Sequence, residues 1–196
     1  MKKSWIIIIV LAILALIIYF SVKGTYNSLV NKEEWINESW AQVENVYQRR
    51  ADLIPNLVNT VKGYAEHERQ TLTDVIEARA KATSVNIDPA NLNASTIQQF
   101  QQAQSGLSQA LSKLMVVVER YPELKANQNF LELQAQLEGT ENRIAVERQK
   151  FNQAVRDYNA YIRVFPKNIW AKLFGFERKA YFEAQEGAET APEVQF

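Results

Sequence analysis

The sequence contains one histidine, His67, which is the residue best suited to acid–base or metal chemistry. A di-iron site in a helical bundle needs paired Glu-x-x-His motifs, but the residue three positions before His67 is Tyr64. The pair His67-Glu68 lacks the second histidine of a zinc-protease motif, and no cysteine is present to supply a thiolate ligand. Neither a G-x-S-x-G motif nor a phosphate-binding glycine loop occurs. We therefore predict that the protein is not an enzyme and has no catalytic residues, no metal and no cofactor.

Three charged residues fall on or beside apolar helical stripes. Arg50 continues the stripe that contains Tyr47, Glu147 is in phase with Ile144, and Glu119 directly follows an apolar run. An unpaired charge in a bundle core costs several kcal/mol, so a buried Arg50 needs a partner. We predict an ionic layer that joins Arg50 to Glu119 or Glu147 and sets the register of the helices. The alternative is that these long side chains reach the edge of the bundle and stay solvated.

Long helices must position these residues, because apolar side chains recur at steps of three and four. From Asn127 to Phe165 the stripe comprises Phe130, Leu133, Leu137, Ile144, Phe151, Val155, Tyr158, Ile162 and Phe165. Another stretch carries Ile97, Phe100, Leu107, Leu111, Leu114, Val118 and Tyr121, with Gln104 in the vacant position. Such spacing is typical of coiled-coil-like packing. The sequence therefore predicts an all-α fold, a long-helix antiparallel bundle of the four-helix type.

Prolines and polar segments predict the ends of these helices. A first helix is expected from about residue 25 to Arg50, and a bend or break at Pro55, because proline lacks the backbone donor that a helix interior needs. A second helix is then expected from about residue 55 to 83, and a loop over residues 84–95. Ser95 or Thr96 is the predicted N-cap of the next helix, and Pro166 ends the last long one.

The chain begins with an apolar run from Trp5 to Val22, in which Ser21 is the only polar residue. As a helix, about 18 such residues rise ~27 Å, close to the thickness of a bilayer's hydrocarbon core. The run exceeds the apolar region of a usual signal peptide and no A-x-A cleavage site follows it, so we predict an uncleaved transmembrane signal-anchor. The lysines before the run weakly favour a cytoplasmic N-terminus and an external soluble domain.

Composition limits the remaining possibilities. Basic and acidic residues number 22 each, so no net charge is available to attract nucleic acid.

We divide the chain into a transmembrane helix (1–24), a helical bundle (25–166), an amphipathic segment (167–183) and an acidic tail (184–196). The amphipathic segment either caps the bundle or lies on lipid, and the cap is the favoured interpretation. In the tail, Pro192, Val194 and Phe196 alternate with polar residues, which predicts an extended docking strip. The alternative is an unstructured end.

Several ordered motifs resemble a known family. They are RRADLIPNLV at residues 49–58, VVVERYP at 116–122, TENRIA at 140–145, FGF at 174–176 and PEVQF at 192–196. This pattern, which extends over essentially the whole chain, is similar to that of the LemA family. The resemblance implies a bacterial membrane protein with a single span and an α-helical bundle domain, and it implies no reaction.

Two functions follow as expectations from the anchor and the bundle. The first is a non-enzymatic scaffold of the bacterial inner membrane that forms homo-oligomers and organises proteins or lipid. The second is a membrane-tethered adaptor or sensor that regulates an envelope enzyme. The expected partners are the lipid bilayer, further copies of the chain and a membrane or envelope protein of unknown identity, but not nucleic acid.

Overall fold

The computed structural model describes residues 3–65 and 67–183, and within these ranges the chain forms helices and no strand. The helices are α1 Lys3–Lys62, α2 Arg69–Ser84, α3 Ala94–Val118, α4 Pro122–Lys125, α5 Gln128–Tyr161 and α6 Lys167–Leu173, with a 3-10 turn at Pro89–Asn91. The predicted all-α fold is confirmed. The acidic tail and its docking strip lie outside the described residues.

Side-chain contacts give the direction of each helix in the bundle. Trp40 of α1 packs edge-on against Phe151 of α5, while Lys32 lies over the ring of Tyr161, so α5 runs antiparallel to α1. Trp40 packs against Phe100 of α3, and Arg50, further along α1, bonds to Gln104 and Ser108, further along α3, so these two helices run parallel. Because α2 and α3 are joined by a short connection and pack on each other, α2 runs antiparallel to both α1 and α3. The helices α1, α2, α3 and α5 therefore alternate in direction, as in a four-helix bundle.

The apolar interior is divided into two parts along the bundle. The first core lies nearer the N-terminal end of α1, and its members include Leu29, Ile36, Trp40, Val43, Phe100, Ile144, Phe151, Val155, Tyr158 and Phe182. The second core lies at the far end, and its members include Ile54, Leu57, Val61, Leu72, Val75, Leu107, Leu114, Leu124, Phe130 and Leu137. The boundary between them falls near residue 50 of α1.

Helix α1 begins with the apolar run and continues into the bundle without interruption. Its 60 residues extend about 90 Å. The described side chains before Val22 are all exposed, and the most apolar stretch has a mean hydropathy of 3.0. Burial begins at Thr25 and Leu29, where the bundle starts. The first third of α1 is therefore long and apolar enough to cross a bilayer, and the rest is a bundle helix.

Of the predicted bend or break at Pro55, the break is wrong, because α1 continues to Lys62, and the bend stays a prediction. Proline at position 55 cannot donate to the carbonyl of Ala51, four residues earlier. In the structure the guanidinium of Arg79, on α2, donates to that carbonyl through Nε at 2.7 Å. A side chain from a neighbouring helix therefore satisfies the buried carbonyl. The chain turns instead between Lys62 and Arg69, so the second helix begins later than predicted.

The predicted N-cap of α3 is also wrong by two or three residues. The cap is Asn93, whose side chain accepts a hydrogen bond from the backbone N–H of Thr96 at 3.0 Å. The Thr96 hydroxyl accepts in return from the backbone N–H of Asn93. Two donors that the helix itself leaves free are thus satisfied reciprocally. The helix begins earlier than expected because the N-cap is Asn93 rather than Ser95 or Thr96.

Helix α2 covers only the second core. Its 16 residues rise about 24 Å, whereas the 34 residues of α5 rise about 51 Å. Over the first core its place is taken by residues 175–183, which we call the C-terminal strap. The strap begins at Gly175, whose positive φ of 75° ends α6. The bonds from Gly175 N to Lys172 O and from Phe176 N to Ala171 O form a Schellman motif, which favours glycine there.

The amphipathic segment divides its residues between the bundle and the outside. Ala171 is the one buried residue of α6, and Phe182 at the end of the strap is buried in the first core. In contrast, Phe165, Ile169 and Leu173 are exposed. The strap thus closes the bundle, while much of α6 does not.

The bond from Arg79 to Ala51 predicts an interaction with Pro55 that can be measured. Arg79→Ala should lower the free energy of unfolding by about 1–3 kcal/mol, because it leaves a buried carbonyl without a donor. In a Pro55→Ala background the new backbone N–H of residue 55 can donate to the carbonyl of Ala51. Arg79→Ala should then lower the free energy of unfolding by less than about 0.5 kcal/mol. Chemical denaturation in detergent, followed by circular dichroism, measures both costs. Arg143→Ala, on an exposed part of α5, is the matched control, and equal costs in the two backgrounds would contradict the explanation.

Candidate functional site

The most unusual polar group in the bundle is the guanidinium of Arg50, whose side chain is 3% exposed. Its Nη2 donates to Oε1 of Gln104 at 2.6 Å. Its Nη1 donates to Oγ of Ser108 at 3.0 Å and to Oε2 of Glu141 at 2.9 Å. The guanidinium also lies 5.1 Å from the centre of the Tyr47 ring. Helices α1, α3 and α5 are thus joined around one buried cation.

Gln104 extends these contacts to the fourth helix. Its side-chain Nε2 donates to the carbonyl of Ala82 on α2 at 3.1 Å, while its Oε1 accepts from Arg50. Gln104 is itself buried. We call Arg50, Gln104, Ser108 and Glu141 the polar layer. It lies between the two apolar cores, since Tyr47 belongs to the first and the next buried apolar side chains along each helix belong to the second.

The glutamates predicted to pair with Arg50 lie elsewhere. Glu119 pairs with Lys125 at the surface near the end of α3. Glu147 is buried but pairs with Lys150, 3.0 Å away and one turn along α5. Among the described residues the glutamate that contacts Arg50 is Glu141, whose side chain is 56% exposed. The choice of Glu119 or Glu147 as the partner of Arg50 is therefore corrected to Glu141.

Sequence reasoning missed all three side chains that accept hydrogen bonds from Arg50, which are Gln104, Ser108 and Glu141. The signal that could have found Gln104 was its position, because it fills a seam position that apolar residues occupy elsewhere in α3. Glutamine there can satisfy a cation without carrying charge, which avoids the cost of desolvating a second ion. Glu141 gave no such signal, since it lies beside the seam rather than on it.

His67 has no structural role that resembles a catalytic or metal site. It is exposed in the turn between α1 and α2. Across residues 3–65 and 67–183 no group of three or more histidine, aspartate or glutamate side chains is arranged to hold a metal ion.

A cleft of 790 Å³ opens on one side of the polar layer. Its walls come from α1, α3 and α5, and each lining residue carries a polar or charged group. The lining includes Tyr47, Arg50, Gln98, Gln101, Gln102, Ser105, Gln109, Lys113, Glu141 and Arg148, with Glu183 at one end. Burial raises the pKa of Tyr47, so its hydroxyl stays neutral on the cleft wall at physiological pH. The cleft offers neutral hydrogen-bonding groups beside five charged side chains, which are those of Arg50, Lys113, Glu141, Arg148 and Glu183.

The C-terminal strap runs toward this cleft and is held by side-chain amides. Asn159 bonds to both the N–H and the carbonyl of Lys179, at 3.1 and 2.9 Å. Asn152 does the same for Phe182, at 2.8 and 3.0 Å. Gln101 bonds to both groups of Glu183. These amides satisfy an extended backbone much as a neighbouring β-strand would.

Aromatic packing fixes the end of the strap. The Phe182 ring stacks on Trp40 with centroids 5.7 Å apart and also contacts Phe151 and Phe100. The guanidinium of Arg148 covers the outer face of Phe182 at 4.8 Å. The strap is therefore both an apolar plug for the first core and one border of the cleft.

The motifs that build these features match a known family along most of the chain. The LemA family model matches residues 39–196, which include the polar layer and the strap. This chain belongs to the LemA family. The curated relatives of this chain include magnetosome proteins. Magnetosome protein MamQ 2 of Paramagnetospirillum magneticum is 27% identical over 94% of this chain and 73% of the relative. MamQ of Magnetospirillum gryphiswaldense is 27% identical over 84% and 67%. Protein LemA of Metamycoplasma hominis is 23% identical over 87% and 74%.

Gln104 is expected to matter more to the polar layer than the charged Glu141. Gln104→Leu should lower the free energy of unfolding by about 2–4 kcal/mol, because the buried Arg50 and the carbonyl of Ala82 each lose a partner. Glu141→Gln should cost less than about 1 kcal/mol, since the pair is solvent-screened on one side. Denaturant titration measures both costs, with Gln102→Leu on the exposed side of α3 as the control. A larger cost for Glu141→Gln than for Gln104→Leu would show that charge pairing dominates.

The amide contacts predict that one atom of Asn152 controls the strap. Asn152→Asp keeps the acceptor for the Phe182 N–H but places a carboxylate oxygen against the Phe182 carbonyl. We expect amide hydrogen exchange of Phe182 to accelerate roughly tenfold or more, the equivalent of a lost hydrogen bond. Asn168→Asp, an exposed position on α6, introduces the same charge as a control. Unchanged exchange at Phe182 in Asn152→Asp would mean that apolar packing alone holds the strap.

Proposed function

We propose that this LemA-family protein is a non-enzymatic scaffold anchored in the bacterial inner membrane. The observation that carries the proposal is the continuity of α1, since one helix contains the apolar stretch and the bundle segment. From Gly24 to Lys62 this helix extends about 57 Å, so the bundle is a rigid rod attached directly to the apolar stretch. A catalytic domain on a flexible linker would need no such attachment.

The names of the relatives support a role in assembly. Two of them are named for the magnetosome, and a third carries the name of the LemA family. We propose by analogy that this chain organises other molecules at a membrane rather than converting a substrate. The soluble bundle is proposed to lie on the extracytoplasmic side, because Lys2 and Lys3 lie close before the apolar run, whereas only Lys23 lies directly after it and Lys32 follows ten residues beyond.

We propose that the scaffold forms homo-oligomers through its bundle rather than its span. The apolar run has no G-x-x-x-G face, so its own pairing should be weak. A groove of 590 Å³ between α1 and α5 is lined by Trp35 together with Glu38, Lys150 and Arg156. Trp35 is 41% exposed, and the mixed charges around it suit a two-fold interface in which each acidic group meets a basic one. We call this surface the Trp35 groove.

The second candidate function is a tethered adaptor or sensor for an envelope enzyme. The cleft beside the polar layer favours it, because Gln101 already holds an extended backbone at one end of the cleft and further glutamines line the rest. An extended peptide of a partner could continue that pattern. We also propose that the docking strip of Pro192, Val194 and Phe196 binds such a partner or a neighbouring subunit.

Site-specific photo-crosslinking in native membranes distinguishes the two functions. A crosslinker at Gln153, in the Trp35 groove, should give species at multiples of the chain mass if the protein is a self-assembling scaffold. A crosslinker at Gln102, in the cleft, should give one dominant heterologous band if it is an adaptor. A crosslinker at Asn129, at the far end of the bundle, is the control. Monomer alone at both test positions would contradict both functions.

A further inference from the structure

One end of the bundle carries exposed apolar side chains beside the apolar part of α1. Phe165, Ile169 and Leu173 are 76, 52 and 69% exposed. Ile169 and Leu173 are one turn apart on α6 and therefore share a face. Ala171, on the opposite face, is buried against the bundle. Helix α6 thus packs on the bundle through one face and exposes large apolar side chains on the other. A surface that faces only water rarely carries such an apolar patch.

Contacts with α1 locate this surface at the level where the apolar run ends. The ring of Tyr26 packs edge-on against Phe174 with centroids 5.1 Å apart, and against Phe176 at 5.9 Å. Tyr26 lies four residues beyond Val22, the end of the run, which is about 6 Å along a helix. The segment between α5 and the strap therefore lies at the end of the bundle that faces the bilayer.

The charges within the segment that carries the exposed apolar groups all have the same sign. Arg163, Lys167 and Lys172 lie in or next to α6, and the sequence has no aspartate or glutamate from residue 158 to 176. The ammonium of Lys167 lies over the ring of Tyr161 at 3.9 Å, which keeps this charge at the bundle end. A short apolar face with a basic border is the composition of segments that lie in the headgroup region of a membrane.

We propose that Phe165, Ile169 and Leu173, with Lys167 and Lys172, form a second membrane contact, which we call the α6 surface. It inserts at the boundary between headgroups and acyl chains of the bilayer that α1 crosses, and it prefers anionic lipid. The inference rests on the proposed membrane anchoring and adds a function to α6. A single span leaves a rod free to tilt, whereas two contacts with one bilayer fix the angle at which the bundle stands.

The observations favour lipid over a second copy of the chain as the occupant. Two α6 surfaces brought face to face would place their basic residues together, without an acidic residue in the segment to compensate. The apolar groups also lie next to a helix that is itself suited to lipid, so the two apolar surfaces are continuous. Charge and position therefore agree on one partner, an anionic bilayer surface.

Spin labels on the full-length chain in nanodiscs test the proposal. The sequence has no cysteine, so each single-cysteine variant carries one label. The test variants are Ile169→Cys and Leu173→Cys. Val116→Cys, at a position 71% exposed at the far end of the bundle, is the control for a label in water. Ile13→Cys, in the apolar run, is the control for a label in lipid. Discs of phosphatidylethanolamine and phosphatidylglycerol are compared with discs of phosphatidylcholine. Collision of the label with oxygen and with a water-soluble nickel chelate measures its depth.

We expect the nickel chelate to reach positions 169 and 173 severalfold less than position 116, and the protection to be greater in the discs with phosphatidylglycerol. Equal nickel access at 169, 173 and 116, with position 13 in lipid, would overturn the α6 contact and leave the anchor intact. A water-accessible label at position 13 would overturn the anchoring itself. Protection that disappears in discs holding one copy would identify a second chain as the occupant and overturn the proposal. Equal protection in both lipid mixtures would overturn the preference for anionic lipid.

Discussion

The burial of one cation at Arg50 constrains the rest of this bundle. A guanidinium removed from water needs acceptors on several sides, and no single helix can supply them. Gln104 and Ser108 provide them from α3 and Glu141 provides one from α5, while Gln104 also holds α2 through Ala82. Sliding any of these helices by one turn would leave a buried polar group unpaired. Apolar stripes tolerate such shifts more easily, so the polar layer is well suited to fix the register.

The same layer separates two halves that are built differently. Beyond it, four helices enclose the second core. Nearer the apolar part of α1, the short α2 is absent and an extended strap takes its place. An extended chain cannot satisfy its own backbone, and here Asn152, Asn159 and Gln101 do so from the neighbouring helices. The cleft lies beside this junction, where the regular packing of the helices changes.

The proposed role depends on mechanical continuity rather than on reactive groups. Because α1 passes from the apolar run into the bundle as one helix, the orientation of the run determines that of the bundle. Arg79 supports this continuity because it donates a hydrogen bond to the carbonyl of Ala51, which Pro55 cannot do. The α6 surface would fix the remaining freedom of tilt, and the Trp35 groove and the cleft stay available for other molecules.

The sequence by itself determined the helical class, the apolar run and the membership of the LemA family, because periodicity, hydropathy and ordered motifs are local properties of the chain. It also indicated that Arg50 needed a partner. Only the tertiary structure decided that the partners are Gln104, Ser108 and Glu141, since residues about 54 to 91 positions apart meet through the packing of whole helices. The continuity of α1 at Pro55 was decided in the same way. A local rule predicts a break there, but a donor from α2 replaces the hydrogen bond that the proline removes.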